Sequence, residues 1–553
     1  MRAKLRDLAK HKYFYPVLLI LLGLVVSAPF IWQQQIYNQD DFLFHKARLL
    51  AYYTAVVHEH TLVPRVLATM AGGFGYAADM FYNSLALLPF VVLKALLGGF
   101  VVPYNLYLAG ISVLTALTAY WCGRRVFAPR QSFVFAALYV TNTYRLIDMY
   151  VRGALGETIA FIFLPLIALG VYETVAQKKW RVLGIGMALT FIVHPLSAFL
   201  AVIILICLDV WLLLRRKLTR AAFGRQVKSA VLAILLSLFV ALPMLEQAAS
   251  QRFYFMQPSS LWSNGLDYSF GQLLMNSLSN ASGVWGNLGP NAGPIAVIAL
   301  GIAFFTYKHQ SGAVRTTAII TGTLFVLSSN LLLWSVVKNS PLATIQFEWR
   351  LLAFVALGVA LLVALVAPKH GRLVAVVATL LAVTFNYSVQ YAFSSQSNPL
   401  IVTDKNVAKL APNAVGGGSE FLPASIHDYS DASDAVSLTE SALKSKRVIG
   451  RGVAVKTKHG TVTYTLERTR SGAGLVVLPK FYYKGYVARS AGTNVKVQND
   501  HGLVAVKVTA KQHHTVTLRY AGTFLQHASE LISGLTVLVL VAGRIWFRRQ
   551  RHA

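Results

Sequence analysis

The chain has 553 residues, 56% of them hydrophobic and only 13% charged, with a mean hydropathy of +0.55. Soluble domains carry about one quarter charged residues, so the composition argues against a water-soluble globular protein. Lys and Arg outnumber Asp and Glu by 51 to 21, a net charge of +30. The basic residues stand in short clusters between apolar runs, as in Arg2/Lys4/Arg6, Arg215/Arg216/Lys217 and Arg548/Arg549/Arg551. That is the pattern of cytoplasmic anchors on anionic lipid, not of a nucleic-acid surface.

Apolar runs close to the roughly 20 residues that cross a bilayer begin at Phe14. They predict spans at 14–32, 104–122, 131–149, 155–176, 181–193, 196–214, 227–245, 293–307, 315–336, 350–367, 371–391 and 526–547. In the first of them, Val26-Ser27-Ala28 has the form of a signal-peptidase site, but the length of the run and the spans that follow predict an uncleaved anchor. The basic clusters place the N-terminus, Lys178/Lys179/Arg181, 215–228, Lys308–Arg315, Lys369–Arg372 and the C-terminus in the cytoplasm. The loops 33–80, 144–154, 246–292 and 338–349 and the region 392–525 then face outward. Residues 82–100 are apolar enough to span, but counting them would put Arg124/Arg125/Arg130 outside. We read them as re-entrant or interfacial; the alternative is that those arginines face outward and bind phosphate. Cys122 and Cys207 both lie in apolar segments and indicate neither a disulfide framework nor a Cys-based metal site.

The outward segments hold the chemistry. Ionisable groups beside the hydrocarbon are costly and are usually paired or functional, and acids there are few: Asp40, Asp41, Glu59, Asp79, Asp148, Glu157, Glu246, Asp267 and Glu348. In the first loop, Asp41, His45 and Arg48 share one face if the segment is helical. A carboxylate there acts as a general base or binds a divalent cation; the same spacing equally suits a solvated amphipathic helix with an internal ion pair. Gly72-Gly73-Phe74-Gly75-Tyr76 follows without a preceding strand, so it is no nucleotide fingerprint.

In the second outer segment, Tyr144 to Glu157, a helix would bring Arg145, Asp148 and Arg152 to one face. Two arginines suit a phosphate through bidentate hydrogen bonds; interfacial snorkelling with an Arg–Glu pair is the structural alternative. Tyr150 lies in this segment. His194-Pro195 breaks an apolar run at the same side, as a packing or hinge residue more readily than a catalyst. Gln346-Phe347-Glu348-Trp349-Arg350 opens a span with a Glu–Arg pair and belt aromatics.

Residues 398–522 change character. After the linker-like Val415-Gly416-Gly417-Gly418-Ser419, alternating β-branched segments at Val448–Lys458, Thr461–Arg468, Gly474–Leu478, Val495–Val497, Leu503–Thr509 and Thr515–Tyr520 predict antiparallel strands. The expected fold is an all-α polytopic membrane protein of about 12–13 spans with a small extracytoplasmic β domain before the last span. Its divisions are a transmembrane domain over 1–397, the β domain over 398–522, and a last helix with a basic cytoplasmic tail over 523–553.

Several of these segments resemble a known family. Asp41-Phe-Leu-Phe-His45-Lys-Ala-Arg48, Val63-Pro64-Arg65, Gly73-Phe-Gly75-Tyr76, Phe81-Tyr82, Tyr144-Arg145-Leu146, Tyr150-Val-Arg152-Gly153-Ala154-Leu-Gly-Glu157, His194-Pro195 and Gln346 to Arg350 look like bacterial membrane proteins labelled "6-pyruvoyl-tetrahydropterin synthase-related". Nothing in the chain resembles a soluble pterin enzyme. Glu348 departs from that family, which usually has proline there. The stretch from Leu478-Pro479-Lys480-Phe481-Tyr482-Tyr483-Lys484-Gly485-Tyr486 onward is similar to the outer domain of the YfhO family.

Both groups resemble GT-C glycosyltransferases. The resemblance implies transfer of a sugar from a polyprenyl-phosphate donor to a cell-envelope glycan, polymer or lipid on the outer face. It implies Asp41 as base or metal ligand (a divalent cation, Mg or Mn), Glu157 as a second acid or metal ligand, and Arg145 and Arg152 on the leaving lipid phosphate. His45, Arg48, Tyr150, His194 and Arg350 are further candidates for substrate contacts. A lipid-linked glycan transporter or flippase, and a non-catalytic envelope assembly protein, are the competing readings.

Overall fold

The computed structural model describes residues 12–256, 268–284, 288–331, 340–366, 371–411, 413–416, 419–426, 444, 447–509 and 514–550. The basic residues Arg2, Lys4, Arg6, Lys369 and Arg551, the acid Asp267, and Gly417 and Gly418 of the linker-like patch lie outside the described residues. Among the described residues seven helices are long and apolar enough to cross a membrane: Phe14–Ile31, Val101–Gly123, Pro195–Leu214, Arg220–Ser250, Glu348–Val366, Gly371–Ser394 and Phe524–Trp546. Shorter apolar helices occupy Leu164–Ala176, Arg181–Val193, Pro294–Phe305 and Gly312–Leu327.

Two expected spans do not run as single helices. The stretch 131–149 gives a helix over Pro129–Val140, then a new start at Thr143–Ile147, then a π-helical turn over Asp148–Arg152. Asn142 causes the break: its side chain accepts from the Tyr144 N–H at 3.0 Å, capping a new helix instead of continuing the old one. The stretch 155–176 likewise splits into Leu155–Ala160 and Leu164–Ala176, with Pro165 in the first turn of the second piece, where its missing N–H costs nothing. The segment 82–100 is helical only over Leu88–Leu97 after a 3-10 turn at Leu85–Leu87, too short to cross a bilayer by itself.

The chain divides into two compact units, each drawn from three stretches: 1–42, 92–233 and 260–407 form the first, and 43–91, 234–259 and 408–553 the second. In the first, Phe14–Ile31 packs on Val101–Gly123 with little space between backbones; a Cβ on Gly23 would stand 3.0 Å from Val113. The Ser27 hydroxyl donates to Ser112 at 3.3 Å, and Asn386 Nδ2 donates to the Val26 carbonyl at 2.7 Å. A two-residue ladder joins β1 (Ile36–Tyr37) to β2 (Ile401–Val402) in antiparallel register. Asp404 Oδ1 accepts from the N–H groups of Phe100 and Val101, at 2.5 and 2.9 Å, and so places a carboxylate on the positive end of the Val101–Gly123 helix.

The second unit holds an eight-stranded sheet of β3 (Val448–Lys458), β4 (Thr461–Arg468), β5 (Gly474–Phe481), β6 (Tyr486–Ser490), β7 (Thr493–Val495), β8 (Val497–Asp500), β9 (Leu503–Val508) and β10 (Thr515–Tyr520). Its order is β7-β6-β10-β4-β3-β5-β9-β8. Neighbours are antiparallel except β3 and β5, which run parallel because β4 returns on one side of β3 and β5 rises on the other. His459 and Gly460, with φ of +46° and +68°, close the β3–β4 hairpin; a two-residue turn with both φ positive matches the twist of its strands. Strand β6 carries no sequence signal, because its inward positions are Ala488 and Ser490.

The sheet is fastened to the rest of its unit by polar contacts. Lys480 Nζ donates to the carbonyls of Gly73 and Ala68, and the Phe481 N–H to Phe74 O at 3.0 Å. The glycine-rich stretch at 72–76 is therefore a turn that receives β5, closed by the Leu67–Tyr76 bridge. Gln247 Nε2 donates to Lys484 O at 2.7 Å, and Ser533 Oγ donates to Leu235 O at 2.9 Å, tying residues 234–250 and the helix Phe524–Gln550 into the same unit.

Candidate functional site

The break after Val140 builds the candidate site. The π-helical turn of Asp148–Arg152 ends at Gly153, whose φ of +65° reverses the chain. A Cβ at that glycine would lie 2.5 Å from Gln39 Oε1, so this position needs both glycine's left-handed backbone and its lack of a side chain. The first loop docks against this turn through its backbone. Gln39 Nε2 donates to Tyr150 O at 3.0 Å, and the Asp41 N–H donates to Arg152 O at 2.8 Å.

Arg152 is the centre of the resulting cluster. Its Nη1 donates to Asp148 Oδ1 at 2.5 Å and to Glu157 Oε2 at 3.0 Å. Its Nη2 stands 3.9 Å from Asp41 Oδ2. The guanidinium also lies over the Trp349 ring at 4.5 Å, a cation–π contact that fixes its plane. Glu157 accepts a 2.8 Å hydrogen bond from the Tyr144 hydroxyl and lies 3.8 Å from Arg350 Nε. Arg350 is oriented in turn by donating to Ile345 O at 3.0 Å and Gln346 Oε1 at 2.6 Å. Arg152, Asp148 and Glu157 are all buried, whereas the Asp41 side chain is 48% exposed. Thus one carboxylate faces solvent from a group whose other members are locked. Breaking such a buried set by removing one partner costs about 3–5 kcal/mol.

The other candidates fall elsewhere. Arg145 does not share the Arg152 face; the π-turn changes the helical phase, and its guanidinium donates to Val140 O and Ser112 Oγ, each at 3.0 Å. Arg350 takes the second cationic place in the cluster. Tyr150 stacks on Phe30 with ring centroids 3.7 Å apart. His194 caps the Pro195–Leu214 helix, with Nδ1 2.7 Å from the Ser197 hydroxyl, and lies within electrostatic reach of Glu157. Glu348 is fully buried.

Of the expected Asp41–His45–Arg48 face, His45 and Arg48 lie on the helix Phe42–Val57, which starts one residue after Asp41. Within the second unit, Arg48 donates to Ser84 Oγ at 3.0 Å and Tyr82 O at 2.6 Å, lies 4.0 Å over the Tyr82 ring and pairs with Asp79 at 3.8 Å. Burial pushes the Asp79 carboxyl up to about 6 against the opposing pull of Arg48. His45 is buried between the rings of Phe44 and Tyr82. Asp79 is one of the outer acids, but nothing in the spacing pairs it with Arg48, 31 positions away.

Among the described residues no three His, Cys, Asp or Glu side chains gather where they would hold a metal ion. The donor set of the cluster also fits a cation poorly: Asp148 and Glu157 are already bridged by Arg152, so a dication between them would have to displace a guanidinium.

The model of the family described as "Bacterial membrane protein YfhO" matches residues 73–310. The chain is a multi-pass membrane protein. The match lies ahead of the strands and does not include the stretch from Leu478 that resembles YfhO proteins in sequence. The label "6-pyruvoyl-tetrahydropterin synthase-related" finds no support. No curated protein matches the chain. Among solved structures, the arabinofuranosyltransferase AftD from Mycobacteria is 15% identical with a TM-score of 0.43, over 69% of this chain and 27% of that one. ArnT from Cupriavidus metallidurans bound to undecaprenyl phosphate is 12% identical with a TM-score of 0.35, over 93% of this chain and 100% of that one. This chain thus covers about a quarter of AftD, and scores below 0.5 transfer neither activity nor substrate to it.

Proposed function

We propose that the protein is a membrane glycosyltransferase that moves a sugar from a polyprenyl-phosphate donor to a hydroxyl of a cell-envelope glycan, polymer or lipid on the outer face. The observation that carries this reading is the Arg152 cluster: a buried guanidinium fixed by Asp148 and Glu157, with its remaining edge turned to the half-exposed Asp41. In such an arrangement Asp41 is the base that takes the proton of the acceptor hydroxyl as it attacks the anomeric carbon. The leaving phosphate gathers charge as the glycosidic bond breaks, and preorganised donors lower the barrier most where charge develops. Arg152 and Arg350 are the donors proposed for that phosphate. Glu157 and Asp148 hold Arg152 in place; they are positioning residues.

The reading is tested with purified protein and a panel of polyprenyl-phosphate sugars. Asp41→Asn is expected to lower kcat by about 100-fold or more while the variant still inserts and melts as the parent does. Full activity in that variant sinks the proposed base. Because Arg152 already occupies the centre of the carboxylates, the parent rate is expected to stay within about twofold in excess EDTA.

A further inference from the structure

The second unit contains a pocket of about 370 Å³, remote in sequence from the Arg152 cluster. It opens where the sheet meets the last apolar helix: its wall includes His459 and Gly460 of the β3–β4 turn, Arg519 at the end of β10, and His527 and Glu530 of the helix Phe524–Gln550. Arg519 is five residues before Phe524, so its Cα stands at most about 18 Å of chain from the first residue of that span. Phe524 itself is 84% exposed, as a lipid-facing residue would be.

The registers place the cations at this end of the sheet. Lys458 pairs with Thr461, Thr461 with Arg519, and Arg519 with Val487, so all four share one face in one row. The next row, two residues farther along each strand, carries Lys456, Thr463, Thr517 and Arg489 on the same face. Lys456, Lys458, Arg489 and Arg519 are exposed. Residues 444–522 hold 15 Lys and Arg against two acids, Glu467 and Asp500. Neither acid reaches these rows: Glu467 pairs with Arg451 at 3.1 Å toward the far end of the sheet, and Asp500 is buried. The pocket wall also carries two acids, Glu59 and Glu530, which its cations Arg65, Lys480 and Arg519 outnumber; Arg65 and Lys480 are buried. Lys480 donates to Ala68 and Gly73 carbonyls. Arg65 donates to Phe239 O at 2.8 Å and Glu530 at 2.6 Å, while its Nε is buried with no hydrogen-bond partner among the described residues.

We infer that this pocket and the basic rows beside it form a docking site for the anionic headgroup of a bilayer lipid. Charge complementarity calls for an anion, since cations near an anionic leaflet are each attracted to it. The tether to a membrane-spanning helix calls for a lipid in preference to a soluble anion: a headgroup held beside Arg519 and His527 leaves its acyl chains along the exposed apolar side of that helix. Such a lipid would hold the β domain at a set height over the bilayer. The inference stands apart from the proposed transfer, because it concerns other residues and needs no catalysis.

The test uses the full chain in phosphatidylcholine nanodiscs, with thermal melting read against added short-chain lipid. Dioctanoyl-phosphatidylglycerol is expected to raise the melting temperature in a saturable way, and dioctanoyl-phosphatidylcholine to leave it unchanged. The exposed pair Lys458→Gln/Arg519→Gln is expected to weaken the phosphatidylglycerol effect about tenfold or more. The pair Arg468→Gln/Lys507→Gln, at the other end of the sheet, removes the same charge and is expected to leave it within about twofold. Equal loss from both pairs would show diffuse attraction and overturn the site. An equal response to inorganic phosphate would overturn the lipid as its source. A polygalacturonate chain that binds through Arg519, with no response to the lipid, would make the partner a soluble polymer and overturn it as well.

Discussion

Arg152 shows how one side chain organises a site that spacing alone distributes differently. Its carbonyl holds the Asp41 backbone, and its guanidinium holds Asp148 and Glu157. The sequence marks Asp41, Arg152, Glu157 and Arg350 through their placement beside apolar runs, where an unpaired charge is expensive. It misplaces Arg145, because helical periodicity assumes an unbroken α-helix and the π-turn shifts the phase by one residue. Gly153 carries no such charge signal, although the loop cannot dock without it. Gly153→Ala combines an unfavourable left-handed φ with a clash at Gln39. It is expected to cost about 1–3 kcal/mol of stability and to lower transfer more than it lowers the melting temperature, since Gln39 is two residues from Asp41. Thermal melting alongside the transfer assay separates the two effects.

At the scale of elements, β5 shows what a strand gives up to be fastened. Lys480 is buried among backbone carbonyls, and burial pulls its amine down to about 8, against the opposing pull of Glu59. The unfolded chain would hold that proton up to its ordinary value near 10.5. Between about pH 8 and 10 the unfolded state therefore binds more protons than the folded one, and stability rises with pH, by at most about 1.4 kcal/mol per unit. Melting curves in detergent from pH 7.5 to 9.5 are expected to show this rise, and Lys480→Met to flatten it. An equal rise in the variant would assign the effect to other groups. Alternation made most of the strands legible, since β-branched residues at every second position have one common cause. It did not reveal β6, it read β7 and β8 as one segment at Val495–Val497, and it did not show the parallel β3–β5 pair, which depends on which side of β3 the chain returns to. The helices Phe14–Ile31 and Arg181–Val193 begin within a residue or two of where hydropathy puts them. The two broken spans do not, because Asn142 and Pro165 act on the backbone and barely alter an averaged hydropathy.

At the scale of the whole molecule, neither unit is a continuous stretch of chain. Hydropathy and strand patterns are local, so they divide the sequence linearly and carry no sign that 43–91, 234–259 and 408–553 pack together. The ties that close the second unit are long in sequence: Lys46 Nζ donates to Leu410 O, and Arg65 pairs with Glu530. A chain stopped at residue 407 would leave Lys46, Arg65 and the carbonyl of Gly73 without these partners. Limited proteolysis of that truncated chain is expected to cut within 43–91, where the full chain resists; equal resistance would show that this stretch stands without residues 408–553. The interleaving also orders events during synthesis. Residues 43–91 leave the ribosome more than three hundred residues before the strands that complete their unit. At the roughly 5–20 residues per second of translation, this segment waits tens of seconds at the membrane with Lys46 unmet and Arg65 short of Glu530, an interval in which an insertase or chaperone would have its longest opportunity to hold it.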